Sequence, residues 1–240
     1  MMDRGIWATW YDLPEDGKDE YVQWLHEVYI PELLKRPGYL WGTHVKNLTP
    51  EERREGSSNR MVLHHTDLTG VPTGNQYLLL FGAESPHDFV DPSPAELLEA
   101  MSDRDKNMLD MRIEARTCIL VEVDRVDGPE VASRGPGITP GPCVQLGTFN
   151  INALENEDEL ETWYARSRLP LIGRMKGAVG ARKLVTISGW AKHAILYEFL
   201  SVEANKANFV DTDHEWSQEV VHNLVHAPGS PTLGERIWPS

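Results

Sequence analysis

Hydrophobic positions recur along this chain with two periods, and the periods alternate. IWATWYDL, residues 6–13, is dense in aromatic and β-branched residues, as a strand requires. From Asp19 the period lengthens. Val22, Leu25, Tyr29 and Leu33 fall at helical spacing, and Tyr21, Trp24 and Val28 widen the same face. Asp19 is read as the helix cap, and Pro31 is expected to distort or end the helix, since it lacks a backbone donor and crowds the preceding turn. Pro37-Gly38 turns the chain into a second strand, YLWGTHVKNL, and a third follows at QYLLLFGAES. One long helix is predicted over residues 93–111, SPAELLEAMSDRDKNMLDM, and the strand ARTCILVEVDRV comes after it.

The same order then repeats. Eight of the fifteen residues from Gly128 to Pro142 are Gly or Pro, which suits a linker and neither a helix nor a central strand. Beyond it come the strand VQLGTFNI, a helix through WYARSRLPLIGRMKG, the strands AVGARKLVTI and KHAILYEFLS, a helix over DHEWSQEVVHNLVH, and a last strand TLGERIWP. An offset of 139 residues matches Thr9 with Thr148, Asp19 with Asp158, Glu20 with Glu159, Trp24 with Trp163, Pro31 with Pro170 and Gly38 with Gly177. Between the second and third strands the offset falls to 116, so the first half carries 23 extra residues, read as a flap or a flexible excursion. The expected fold class is α+β: two ferredoxin-like β-α-β-β-α-β units in tandem, forming an internal pseudo-dimeric barrel. Residues 1–127 form the first unit with an insertion at about 48–75, 128–142 the linker, and 143–240 the second unit.

WLHEVYIPELLKRPG, residues 24–38, resembles the first helix of the dimeric α/β-barrel superfamily, in its EthD-like and antibiotic-biosynthesis-monooxygenase-like branches. It keeps the Trp, the Pro and the Pro-Gly turn of that family, and residues 163–177 keep the Trp, the Pro and the Gly. The resemblance implies two sheets paired into an eight-stranded barrel, with a pocket between sheet and helices. It places the family's helix His at Tyr29 and Arg168, neither of them His, and so implies that the two pockets have diverged.

Composition narrows the partners. The formal net charge of −14 disfavours nucleic acid and anionic membranes, whose phosphates would be repelled. No apolar run approaches the ~20 residues of a bilayer span, and the opening residues lack the apolar core of a signal peptide, so a cytoplasmic location is expected. Cys118 and Cys143 read as reduced, strand-borne cysteines. Glycine-rich phosphate loops, a nucleophile elbow and cysteine metal motifs are missing from the sequence.

The residues left to carry chemistry are aromatic and imidazole. Tyr29 on the apolar helix face reads as an acid or a core tyrosine, and Arg168 as an anion binder or a structural ion pair. His44 reads as a base on the second strand. In the insertion, His64 or His65 with Asp67 reads either as a base and its orienting carboxylate at the pocket mouth or as residues of a surface loop, the simpler reading. Trp7, Tyr11, Trp24 and Trp41 are expected to shape a pocket for a flat apolar ligand. His222 and His226, four apart on an expected helix, have metal-ligand spacing without the glutamate of a zincin, and no metal is assigned.

These features and the resemblance together lead to an expected enzyme that works without a cofactor. It would move protons in an elimination, cyclisation or isomerisation of a small aromatic or polyketide-like carbonyl compound, with a homodimer of the fused pair as an option. The alternatives are cofactor-free oxygenation of a phenol, a haem protein, and a non-catalytic ligand carrier.

Overall fold

A computed structural model of the protein describes residues 3–55, 63–134, 140–210 and 214–239. Its strands are β1 (Gly5–Asp12), β2 (Tyr39–Asn47), β3 (His64–His65), β4 (Tyr77–Ala83), β5 (Ile113–Asp127), β6 (Cys143–Ile151), β7 (Ala178–Ser188), β8 (His193–Phe199), β9 (Leu224–His226) and β10 (Thr232–Trp238). They lie in the order β10-β2-β4-β1-β5-β7-β8-β6, and β10 also pairs with β6, which closes eight antiparallel strands into a barrel. β9 continues from β6, and β3 pairs parallel to β9. The first half runs β2-β4-β1-β5 and the second β7-β8-β6-β9, so strands of the same rank hold the same places in both.

Alternation along each strand sorts side chains into two buried layers. Ile6, Ala8 and Trp10 point into the barrel with Leu78, Leu80, Leu120, Leu146 and Leu196. Trp7 and Tyr11 point outward, with Leu79 and Phe81, against the first-half helices. Phe149, Ile195 and Tyr197 do the same in the second half. Near Asp3 the barrel holds a buried ionic network. Asp3 receives Arg182 at 2.8 Å and Arg125 at 2.7 Å, and the fully buried Glu198 receives Arg134 at 2.9 Å.

The helices are α1 (Lys18–Trp24), α2 (Ile30–Leu33), α3 (Pro50–Arg54), α4 (Pro94–Glu99), α5 (Asp103–Asp110), α6 (Glu157–Trp163), α7 (Leu169–Ile172), α8 (Val202–Asn208) and α9 (Glu215–His222). Pro31 does not end its helix. A π-turn, Leu25–Tyr29, joins α1 to α2, and the Ile30 N–H reaches back five residues to the Leu25 carbonyl. That widening makes room for a ring that cannot donate to the carbonyl four residues before it. Pro170 is handled identically: a π-turn at Tyr164–Arg168 joins α6 to α7, with Leu169 N–H on the Tyr164 carbonyl.

Other sequence expectations are corrected locally. Gly17, at φ 79°, precedes α1 in place of an Asp19 cap, and Asp19 sits in the first turn. Residues 93–111 form two helices because each has its own cap. The Ser93 hydroxyl accepts from Glu96 N–H, and the Ser102 hydroxyl accepts from Asp105 N–H and restarts the turn. α9 stops at His222, and Leu224–His226 is strand, so His222 and His226 share no helix face.

The 48–75 insertion reaches across to the second half. β3 docks on β9, and Lys206 Nζ donates to the Glu52 carbonyl at 2.6 Å. Residues 56–62 of this insertion and 135–139 of the Gly/Pro-rich stretch lie outside the described residues. The described start of that stretch is pinned, with Arg134 paired to Glu198 and, at 3.3 Å, to Asp127. Among the described residues no helix is long and apolar enough to cross a membrane. Cys118 and Cys143 are free and buried on β5 and β6.

Candidate functional site

The layer between α1–α2 and the sheet gathers much of the predicted chemistry of the first half. Tyr11 on β1 and His44 on β2 point outward into it, and their side chains meet with Tyr11 Oη 2.8 Å from His44 Nε2. His44 Nδ1 lies 2.8 Å from Nε2 of His26, one turn along from Val22. Tyr11 and His44 are fully buried, and His26 is half-buried. Burial, then the neighbouring His26 and Arg112, push His44 well below its ordinary value, so it is neutral near pH 7. A neutral imidazole has one donor and one acceptor nitrogen, so Tyr11–His44–His26 is a continuous hydrogen-bonded line from the interior towards the surface.

Aromatic rings and one arginine surround that line. The Arg112 guanidinium stands 4.7 Å above the Tyr11 ring and 5.6 Å from that of Tyr29, and its Nε donates to Tyr21 Oη at 2.7 Å. Tyr29 ends the π-turn, 5.2 Å from the Trp24 ring, and burial raises its phenol. Trp7 packs 5.5 Å from Phe81, and Trp24 Nε1 donates to Asp105 at 2.8 Å. Trp41 is elsewhere: it points into the barrel and donates to Asp3 at 2.7 Å. No chemical role was expected from sequence for Arg112, for Tyr21, read as part of the apolar helix face, or for His26, read as a flank residue of that helix. Arg112 stands alone between a helix and a strand, and its partners are about 90 and 100 residues away in the chain.

The equivalent layer of the second half is ionic. Lys183, the counterpart of His44, lies 3.0 Å from Glu161 and 3.1 Å from His193 Nδ1, and His193 Nε2 lies 3.1 Å from Glu157. Burial lowers both Lys183 and His193. Arg168, the counterpart of Tyr29, is 2% exposed; its Nε donates to Tyr197 Oη at 2.8 Å, an N–H reaches the Val210 carbonyl, and the guanidinium stacks 4.6 Å from Phe209. These contacts hold Arg168 within the core of the second half.

The insertion brings a third group together. A cavity of about 860 Å³ lies between α3, β3, α8 and the loop before β10. Leu48, Leu63, Phe209 and Leu233 give it apolar wall, and Arg53, Arg54 and Lys206 bring three cations to it. His65 also lines it, and its Nε2 lies 2.7 Å from the Ser230 carbonyl. A carbonyl only accepts, so Nε2 carries the proton and Nδ1 keeps its lone pair. His64 turns the other way, 3.3 Å from His222, as adjacent strand residues do. Asp67 is exposed and does not line this cavity. Of the three insertion residues proposed from sequence, only His65 reaches it.

No family model matches this sequence, and no curated protein is similar to it. Solved structures do share the fold. An anthrone oxidase-like protein superposes with a TM-score of 0.62 at 11% identity, covering 98% of this chain and 91% of that one. A DyP-type peroxidase from Mycobacterium smegmatis gives 0.52 at 9%, covering 98% and 94%. A chlorite dismutase variant from Candidatus Nitrospira defluvii gives 0.51 at 12%, covering 98% and 92%. The chain therefore has the fold of the dimeric α/β-barrel proteins.

These neighbours correct the expectation of an enzyme without a cofactor. Chlorite dismutase and the DyP-type peroxidase bind haem, so haem is the group to which the fold points. The residues of the large cavity fit that group. A ligating imidazole usually donates its second ring N–H to a carbonyl or carboxylate, which is how His65 stands on Ser230. The cavity lies within the ~300–1,000 Å³ of small-molecule pockets, and its cations suit carboxylates.

Proposed function

We propose that the chain is an oxidoreductase whose working site is the 860 Å³ cavity, acting on a flat, weakly acidic aromatic compound of the anthrone type. One observation carries this reading: the cavity sets the apolar wall of Leu48, Leu63, Phe209 and Leu233 against the cations Arg53, Arg54 and Lys206. Fused rings lose water against the wall, while the cations favour the ionised form of a phenol or enol. At ~4 Å and an effective dielectric near 20, one such cation contributes about 4 kcal/mol of Coulomb attraction before desolvation is counted. The fold shared with an anthrone oxidase-like protein supports the substrate class. In the overall reaction the anthrone methylene becomes a carbonyl: molecular oxygen provides the new oxygen atom, and the two methylene hydrogens leave as water.

His65 would hold a haem through Nδ1. When bound, the group supplies one-electron and oxygen chemistry. Ser230 fixes the tautomer and direction of His65, and the pairing of β3 with β9 holds the backbone that carries it. Oxidation replaces the elimination, cyclisation or isomerisation expected from sequence, which the neighbours do not support.

The test is titration of the protein with haem, followed by absorbance. Wild type is expected to give a saturable, shifted Soret band near one equivalent, and His65→Ala to lose it or weaken it at least tenfold. A wild type that leaves the haem spectrum unchanged sinks the haem assignment.

We also infer that the two units, 1–127 and 143–240, descend from one duplicated sequence. In support, the 139-residue offset superimposes not only Trp24 on Trp163 but the π-turn Leu25–Tyr29 on Tyr164–Arg168. Independent expression of residues 143–240 as a soluble homodimer would support the inference, and an unfolded product would count against it.

A further inference from the structure

A second cavity, of about 440 Å³, lies at the other end of β1 from Asp3. Leu68, Val71 and Pro72 of the insertion and Trp190 of the β7–β8 turn form its apolar sides, and Arg116 of β5 lies at its base. Arg116 is only 4% exposed. Its guanidinium stacks 3.9 Å from the Trp10 ring, and Nη1 donates to Thr148 Oγ1 and the Trp190 carbonyl, each at 3.1 Å. The remaining close partner is the Cys118 sulfur, 3.8 Å away, and Nε has no hydrogen-bond partner.

Every one of these partners is neutral. Among the described residues, no carboxylate figures in the electrostatic surroundings of Arg116. Arg182, also buried in the barrel, is treated differently, since it binds Asp3. The chain has 37 acidic residues, and none of the described ones pairs with Arg116. Removing a cation from water is costly. The cation–π contact and the hydrogen bonds to neutral groups offset part of that cost but do not neutralise the charge, which a bound anion would do.

We propose that this cavity binds a small carboxylate bearing an apolar or aromatic group, with the carboxylate on Arg116 and the body of the ligand against Leu68, Val71 and Trp190. Guanidinium groups hold carboxylates through a bidentate fork, and Arg116 Nε, buried without a partner, is committed to no other group. Burial lowers the Arg116 pKa, a shift that a bound anion reverses. The lining explains why the ligand is not a bare inorganic anion: three apolar side chains and an indole offer little to a hydrated ion. This site shares no lining residue with the 860 Å³ cavity, so the two proposals stand or fall separately.

Benzoate is the probe, with acetate and chloride as comparators, titrated into the full chain while tryptophan fluorescence and Tm are followed. Trp10 and Trp190 flank Arg116, so benzoate is expected to give a saturable fluorescence change and a rise in Tm, at concentrations at least tenfold below those acetate needs. Arg116→Met is expected to lose the benzoate response. Val71→Asp, on the half-buried loop, puts a carboxylate of the chain's own into the cavity; it is expected to lose the response and to raise the ligand-free Tm. Should Arg116→Met fail to fold, Val71→Asp alone decides. The proposal is overturned if benzoate gives no saturable change in wild type, if chloride matches it at equal concentration, or if the folded variants respond like wild type.

Discussion

Asp3→Asn keeps the size of the side chain and removes one charge from the barrel's buried ionic network. Asp3 accepts from Arg125 and Trp41, each at 2.7 Å, and from Arg182 at 2.8 Å. Burial opposes its ionisation, but the attraction of Arg182 and Arg125 wins and holds the carboxyl at about 2, against an ordinary 3.8. That difference is worth about 2 kcal/mol of stability at neutral pH. For a chain of this size it corresponds to a fall in Tm of ~4–8 °C in the variant. The pH dependence has a definite sign. The folded value lies below the unfolded one, so the contribution is complete above 3.8 and disappears as pH falls from 3.8 to about 2. Urea denaturation of both proteins at pH 7 and at steps down to pH 2.5 measures it. The gap in unfolding free energy is expected to be about 2 kcal/mol at pH 7 and to close over the acid steps. Equal midpoints at pH 7, or a gap that persists unchanged into acid, would refute the assignment.

Two further perturbations test the packing around the site. Burial lowers His226 to about 4 from 6.5, so wild type is expected to lose up to about 3 kcal/mol as pH falls through that window, and His226→Phe to show a shallower loss in urea midpoints between pH 7 and 5. At Gly82 a Cβ would fall 1.9 Å from the Trp41 ring, which its bond to Asp3 holds in place, so Gly82→Ala is expected to cost at least ~1–3 kcal/mol in the same denaturation assay.

The elements that depend on local chemistry could be read from the sequence. The strand and helix periods, the Pro37-Gly38 turn and the parity of Trp7, Tyr11 and Trp10 on β1 follow from residues close together in the chain. The 139-residue offset pointed to matched helices, yet a π-turn is a backbone answer to Pro31 and Pro170 that side-chain periodicity does not encode. The Ser102 cap was not read from the sequence, because the apolar spacing on either side of it suits one helix as well as two. Helix α8, capped by Ser201, was missed because its VEANKAN run carries little apolar periodicity.

Long-range closure left weaker traces. His65 meets Ser230 165 residues away, and Arg116 meets Trp190 74 residues away, so neither partner could be chosen from spacing. Tyr29 and Arg168 were paired by the 139-residue offset alone, which could not foresee their surroundings: one sits among aromatic rings beside Arg112, and the other is tied to Tyr197 and Val210. The large cavity itself was invisible because its walls come from the insertion, α8 and the loop before β10.

The central claim, that the 860 Å³ cavity is the working site of an oxidoreductase, is tested most directly by anthrone turnover in the haem-loaded protein, with oxygen uptake and anthraquinone absorbance recorded together. Leu63→Trp fills part of the cavity from a half-buried position and leaves His65 itself unsubstituted. Wild type is expected to consume one oxygen per anthraquinone formed, and Leu63→Trp to lose at least tenfold in kcat/KM. Turnover that is absent in the loaded wild type, or unchanged in a folded Leu63→Trp, would contradict the account.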